Sequence, residues 1–255
     1  MRNMITEGKQ YMRLRGLHRQ SLRWLAVAVP LVLLLVAARP ATTQGADKRT
    51  AAEVLDAMSR KYQDFKTYRD SGIVKTTYIN PDRTFSREIS FKTAFVRPDR
   101  FRFEFTDDSH DRYIVWRSEQ KVKTWWDLKS SIEDQPSLDM ALGGATGISM
   151  LAAHTIPVLL MPSEISGFTL KDLKEIVRLQ DSTCGDFKCI LIRGKNHQGN
   201  LITLWIESGN LLLRQHHWSA SLERVQIEVT TTYTPTVNGQ IPEEMLAFSA
   251  PVQSK

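Results

Sequence analysis

The 255-residue chain contains no G-x-S-x-G, no H-E-x-x-H and no phosphate-cradling glycine loop, which removes the usual signatures of serine hydrolases, zinc proteases and nucleotide-binding enzymes. Ser118 to Lys121, "SEQK", satisfies S-x-x-K in letters but falls in a predicted hairpin turn, where the two side chains share no helical face. His216 and His217 are adjacent in a predicted strand and point to opposite faces, a poor arrangement for one metal. Asp107, Asp108, His110 and Asp111 share one loop, which reads first as a solvated turn and second as a cation site. His154, in an apolar stretch, reads as a hydrogen-bonded interior histidine. No catalytic residue, metal or cofactor is assigned.

Charge of one sign is also scarce where it would matter. The formal net charge is +6, but Arg2, Lys9, Arg13, Arg15, Arg19 and Arg23, set against Glu7, supply five of those charges before residue 39. The remaining body carries +1 and gives little electrostatic reason to hold a phosphate backbone. Nucleic acid is excluded as a partner. Cysteine is limited to Cys184 and Cys189, which flank the turn pair Gly185-Asp186. Two ligands do not make a zinc cage. In an oxidising compartment the turn predicts a disulfide contributing roughly 2 kcal/mol, with two reduced thiols as the alternative.

No apolar run reaches the roughly 20 residues of a membrane-spanning helix. The longest, "WLAVAVPLVLLLVAA" from Trp24 to Ala38, follows a basic region and reads as an export signal. Val36-Ala37-Ala38 and the sequence before Ala46 are the two candidate cleavage sites, Met12 is an alternative start, and a retained anchor is the alternative to cleavage. Residues 1–46 are therefore expected to be signal and linker, and 47–255 one exported domain.

What the chain does contain is β-pattern. "TAAEVLDAMSRKYQDF" opens the body with Thr50 and Glu53 as a capping box and Val54, Leu55, Met58, Tyr62 and Phe65 on one helical stripe. Then come "GIVKTTYI", "REISFKTAFV", "RFRFEF", "YIVWR" and "KVKTWW", and later "LKEIVRLQ", "CILIRG", "LITLWIE", "LLLRQHHW" and "RVQIEVTTTY", joined by short turns. Such connections require antiparallel hairpins, so about ten strands form one curved sheet. Ile89, Phe91, Thr93 and Phe95 share one face with Phe101, Phe103 and Phe105 of the next strand, while Val225, Ile227 and Val229 alternate with polar residues. "CILIRG" and "LITLWIE" do not alternate, and their faces stay unassigned.

Between the strand sets lies Ser137 to Phe168, nearly all apolar from Ile148 to Met161. A helix without a polar face belongs inside the curve of the sheet. Gly143, Gly144 and Gly147 before it, with Pro157 and Pro162 in and after it, weaken its backbone. Two readings follow: a movable lid, or plain core helices.

The leading helix, the "RPDRF" turn after an aromatic strand, the "YIVWRSEQKVKTWWDL" hairpin, the Gly-rich interlude, the "GNLITLWIESGNLLLRQ" hairpin and the ending "VNGQIPEEMLAFSAP" come in an order that resembles LolA-type periplasmic lipoprotein carriers and the wider LolA/LolB-like superfamily. The resemblance spans Thr50 to Pro251. It implies a mainly β, α+β fold: an incomplete antiparallel barrel of about ten to eleven strands, capped by helices over an apolar cavity. It further implies acyl chains of lipoproteins or lipids as cargo, with an inner-membrane donor and an outer-membrane receptor as partners. In such a carrier Arg97 is the lid latch, with a surface pair to Asp99 as its alternative, and Phe91, Phe95, Phe101, Phe103, Phe105, Ile148, Leu151 and Ile227 line the cavity, with an ordinary packed core as the alternative for the phenylalanines. A lipid sensor or interaction module on the same fold is the second function. A 16-carbon chain gains on the order of 12 kcal/mol on leaving water, so carriage through solution needs a closed apolar container.

Overall fold

A computed structural model describes residues 48–250. The expected signal, its cleavage sites and Met12 lie outside the described residues, among which no helix is long and apolar enough to cross a membrane.

Helix α1, Ala51–Asp64, starts at the expected capping box: Thr50 Oγ1 accepts from the Glu53 backbone N–H, and the Thr50 backbone N–H donates to Glu53 Oε2 at 2.7 Å. Its apolar stripe, from Val54 to Tyr62, is fully covered. Strands β1 (Thr67–Ile79), β2 (Thr84–Val96), β3 (Arg100–Thr106), β4 (Arg112–Ser118), β5 (Lys121–Trp126) and β6 (Ile132–Gln135) follow as a meander. Helices α2 (Leu138–Thr146) and α3 (Ala152–Leu160) come next, then β7 (Lys174–Arg178), β8 (Ser182–Cys184), β9 (Phe187–Lys195), β10 (Leu201–Glu207), β11 (Leu213–Leu222), β12 (Val225–Tyr233) and β13 (Thr236–Val237).

All thirteen strands belong to one antiparallel sheet, ordered β6-β5-β4-β3-β2-β1-β12-β11-β10-β9-β7, with β13 on β1 and β8 on β9. Nothing pairs β6 with β7, so the barrel is open. The long β1 joins the two meanders, with Gly72 opposite Phe91 on one side and Tyr233 on the other. A sheet of this length curls under its own twist. The concave side receives α1, α2 and α3, and their buried residues form a single cluster with Phe91, Phe95, Phe101, Phe103 and Phe105.

Three features depart from expectation. β6, β8 and β13 have no clear alternation in sequence because they are short pieces whose side chains stay largely in water. β1 begins at Thr67, five residues before the predicted strand, so Tyr68 and Asp70 belong to the concave wall. The interlude is two helices. The break falls at Met150 and Leu151, whose φ values are 50° and 75°, and not at the glycines: Gly143 and Gly144 lie within α2 and Gly147 is helical.

On the convex side the C-terminal segment forms a strap. Phe248 packs with Trp116 and Trp125, its ring centre 5.0 and 5.1 Å from theirs, and the Arg102 guanidinium lies over the same ring. Arg102 also donates to Glu244 O at 3.2 Å and Ala247 O at 2.6 Å. The strap thus covers outward-facing aromatics of β4 and β5 that would otherwise stand in water.

Gly72 is fixed by close approach. A Cβ there would lie 2.2 Å from both the Phe91 ring and Thr232 O, and the second is backbone that cannot swing aside. Gly72→Ala is therefore expected to destabilise the domain by roughly 3 kcal/mol. Urea denaturation followed by tryptophan fluorescence checks this, and an unchanged midpoint contradicts it.

Candidate functional site

The turn from Arg97 to Asp99 brings β2 back as β3 and aims the Arg97 side chain at the helices. Its Nε donates to Phe65 O, at the end of α1, and its Nη2 to Leu160 O, at the end of α3, both at 3.1 Å. The Phe95 ring lies under the guanidinium at 5.1 Å. Orphan carbonyls at a helix C-terminus need donors, and a cation there also meets the negative end of the helix dipole. Asp99 is not the partner of Arg97.

Arg117 supplies a second tie that the sequence reading missed. Buried on β4 opposite Phe101, it donates to Asp99 O at 2.9 Å and Pro98 O at 3.3 Å and forms an ion pair with Glu164, just beyond α3. The signal was an arginine at an inward-facing position of an aromatic strand. Together the two arginines fasten the C-terminal end of α3 to the β2–β3 turn. The N-terminal end of α3 is weaker, for Leu151 makes no side-chain cap and Ala153 N instead donates to Ser149 Oγ at 3.1 Å.

Phe91, Phe95, Phe101, Phe103 and Phe105 all lie on the concave wall and are buried. Neighbouring rings touch: Phe91 and Phe103 are 6.2 Å apart, Phe103 and Phe105 6.4 Å. Phe91, Phe95, Phe101 and Phe103 are buried in one cluster with the apolar residues of α1 and α3. Space is left at the rim. A cavity of about 310 Å³ is lined by Phe105, Ile89, Trp126, Ile148 and Met150, and a second of about 160 Å³ by Tyr113, Trp125, Trp126 and Ile148. Ile148, expected inside the helix, is instead 45% exposed on the connector at both mouths. Leu151 borders a small void of about 40 Å³ between α3 and β10–β11. Ile227 is half-buried against the core from β12. A larger groove, about 580 Å³, lies outside the barrel between the convex face and the strap, beside Arg69, Lys92, Arg102 and Met245.

The concave wall is not wholly apolar. Asp70 is buried and accepts from Tyr68 Oη at 2.8 Å. Burial pushes its carboxyl up from 3.8 to about 6, against the lowering effect of Tyr68 and Thr93. His216 is buried with Nδ1 3.0 Å from Tyr233 Oη, and desolvation holds it down at about 4. Burial raises the Tyr62, Tyr68 and Tyr233 phenols, and the Asp70 charge adds to each.

The remaining candidates divide as follows. Cys184 and Cys189 are free thiols here, so the expected disulfide is not formed; in register Cys184 pairs with Phe187 and Cys189 with Ser182, which sets the two diagonally but still in hydrogen-bonding contact with each other. Burial pushes the Cys189 thiol up to about 12, away from the reactive range. Ser118 and Lys121 face each other across the β4–β5 turn and are exposed. His217 faces away from His216 and sits 3.1 Å from Thr230 Oγ1. In the loop of three aspartates, Asp107 Oδ1 accepts from the Ser109 and Asp111 backbones, and Asp108 pairs with Arg87. His154 Nε2 lies 2.9 Å from Ser166 O.

No family model and no curated protein matches the sequence. Similar solved structures include an outer membrane lipoprotein-sorting protein domain from Vibrio parahaemolyticus, 8% identical over 76% of this chain and 94% of that one, with a TM-score of 0.33. A LolA superfamily protein from Nitrosomonas europaea is 9% identical over 78% and 98%, TM-score 0.33. The MucA/MucB complex of Pseudomonas aeruginosa gives 10% over 78% and 61%, TM-score 0.42. The first two are named as lipoprotein-sorting and LolA superfamily proteins, the kind that the motif order resembles, and at such values the likeness carries no argument.

The two buried titratable groups act on stability with opposite signs. A carboxyl raised from 3.8 to about 6 holds its proton longer in the folded state, so stability falls as pH rises through that window and stays lowered above it. A histidine lowered from 6.5 to about 4 is neutral in the folded state while the unfolded state binds a proton, so stability is lost as pH falls through its window. Asp70→Asn keeps an acceptor for Tyr68 and removes the first effect alone. The variant is expected to be about 2 kcal/mol more stable than wild type at neutral pH, the advantage vanishing near pH 4. Urea unfolding across that range checks it, and a pH-independent difference contradicts it.

Proposed function

We propose that this chain is a carrier of the bacterial envelope that holds an acyl chain of a lipid or lipoprotein between the concave sheet and α3. In this reading the arrangement described is the closed, unloaded one, and cargo displaces α3 from the aromatic wall. The observation that carries it is Arg97, a cation spanning the carbonyl ends of α1 and α3 over an apolar helix seated on phenylalanines. Every buried helix end needs donors for its carbonyls, but here a single guanidinium serves the ends of both α1 and α3, a polar clasp that water can replace if α3 leaves. The rim cavity beneath Ile148 and Met150 is where a chain end would enter, next to the positive-φ break at Met150 and Leu151. Export to the periplasm through the basic, apolar leader, and exchange with a membrane donor and receptor, belong to the same proposal. Catalysis has no part in it.

A second reading is an envelope lipid sensor or interaction module. The filled interior and the convex groove beside Lys92 and Met245 favour it. A carrier passes bound lipid to acceptor membranes; a sensor keeps it and changes its affinity for a protein partner.

Native mass spectrometry of protein purified from the periplasm, before and after solvent extraction, tests the carrier. An extractable excess mass is expected, and its absence in both samples contradicts the reading. Each bond from a charged donor is worth about 1.5–3 kcal/mol. Arg97→Ala is therefore expected to raise binding of a hydrophobic dye at least tenfold, and unchanged dye binding removes the clasp.

A further inference from the structure

Among the described residues four buried side-chain polar atoms have no hydrogen-bond partner: Asp70 Oδ1, Thr93 Oγ1, Thr231 Oγ1 and Trp218 Nε1. Orphans scattered through a large domain would mean little. These are not scattered. Asp70 on β1 stands opposite Thr93 on β2, Thr231 on β12 stands opposite Val74 of β1, and Trp218 on β11 stands opposite Val229 of β12. Side chains alternate along a strand, and the parity of each places it on the concave wall with Phe91, Phe103 and Tyr233. Asp70, Thr93 and Thr231 are 4%, 1% and 0% exposed. Thr93 bears on the Asp70 carboxyl through its hydroxyl and its backbone, and Thr231 on the Tyr233 phenol, so each has a neighbour within weak reach, but none of the four atoms meets a partner in good hydrogen-bonding geometry.

An unpaired buried polar atom is costly, and replacing it by an apolar group of the same shape is nearly neutral or stabilising. Valine at 93 or 231 would therefore make a better plain core, whereas an apolar residue at 70 would strip the buried Tyr68 Oη of its acceptor. Polar groups kept on the wall of an oily compartment have a use once the compartment holds something other than α3. Their chemistry is mixed: Asp70 Oδ1 accepts when ionised, Trp218 Nε1 donates, and the threonine hydroxyls do both. A bare alkyl chain satisfies none of them. A hydroxyl satisfies Asp70 and Thr93 together, since it donates to the carboxylate and accepts from the threonine.

We propose that the concave compartment selects acyl chains that carry a hydroxyl group within their length, with Asp70 and Thr93 as the recognition pair. This inference rests on the carrier reading and names its ligand class. Thr231 and Trp218 stand further along the same wall, beyond Tyr233, and give the chain a second polar point of contact.

The test compares binding of octadecanoic acid and 12-hydroxyoctadecanoic acid by displacement of a fluorescent dye, in wild type, Thr93→Val and Asp70→Leu. Wild type is expected to bind the hydroxy acid about tenfold or more tightly than the plain acid, as one bond to a buried charged acceptor allows. Thr93→Val, nearly isosteric, is expected to reduce that preference at least threefold while leaving affinity for octadecanoic acid and thermal stability unchanged or improved. Asp70→Leu should abolish the preference, and Thr93→Val keeps the test decisive where Asp70→Leu does not fold. Equal binding of the two acids by wild type overturns the hydroxyl selectivity and leaves the carrier reading standing. Binding of neither acid, by wild type or by Arg97→Ala, overturns both.

Discussion

Helix α3 has no polar face, and the rest of the structure answers that constraint. An apolar helix can exist in a water-soluble domain only if something wraps it, and here a single sheet curls round it with a wall of phenylalanines. The sheet can curl because β1 is long and joins two meanders, and because Gly72 lets the Phe91 ring and the Thr232 carbonyl approach its backbone. The C-terminal strap settles the other surface, covering Trp116 and Trp125 with Phe248. The helices thus cover the concave face, and the strap covers the β4–β5 aromatics of the convex one.

Firmness is unevenly distributed over this arrangement. The sheet is a continuous hydrogen-bonded ladder across eleven strands, and α1 has a complete N-terminal cap. By contrast α3 starts at a residue with positive φ, contains Pro157 and is fastened at its far end through arginine bonds to carbonyls and one carboxylate. Beyond those ties α3 is held by packing, with eight of its nine residues buried. The unpaired polar atoms stand on the wall that α1 and α3 cover.

Much of this was legible in the sequence. The period of the aromatic strands, the short polar turns and the Thr50–Glu53 cap gave the meander, the opening helix and the face to which Phe91 through Phe105 belong. Arg97 came into view through the resemblance of the "RPDRF" turn and the motif order to LolA-type carriers. What stayed hidden depended on three-dimensional context. Asp70 was missed because the strand reading began at Gly72, although Tyr68 and Asp70 carry its parity backwards. Arg117 looked like an ordinary strand charge until its partner Phe101 fixed the side on which it lies. The helix break at Met150 was masked by three neighbouring glycines, of which Gly143 and Gly144 are tolerated inside α2 and Gly147 caps it in helical conformation. The cysteines flank a good turn sequence, but strand register, which sequence spacing does not determine to one residue, sets them diagonally.

The account turns on α3 leaving the wall when an acyl chain enters. With Cys184 and Cys189 replaced by serine, spin labels at Ile148, on the connector before α3, and at Lys75, on the outer face of β1, report that displacement by electron-electron dipolar coupling. Adding hexadecanoic acid is predicted to lengthen the distance by several ångströms and to return it on extraction. A distance that stays fixed while the acid is demonstrably bound would contradict the account.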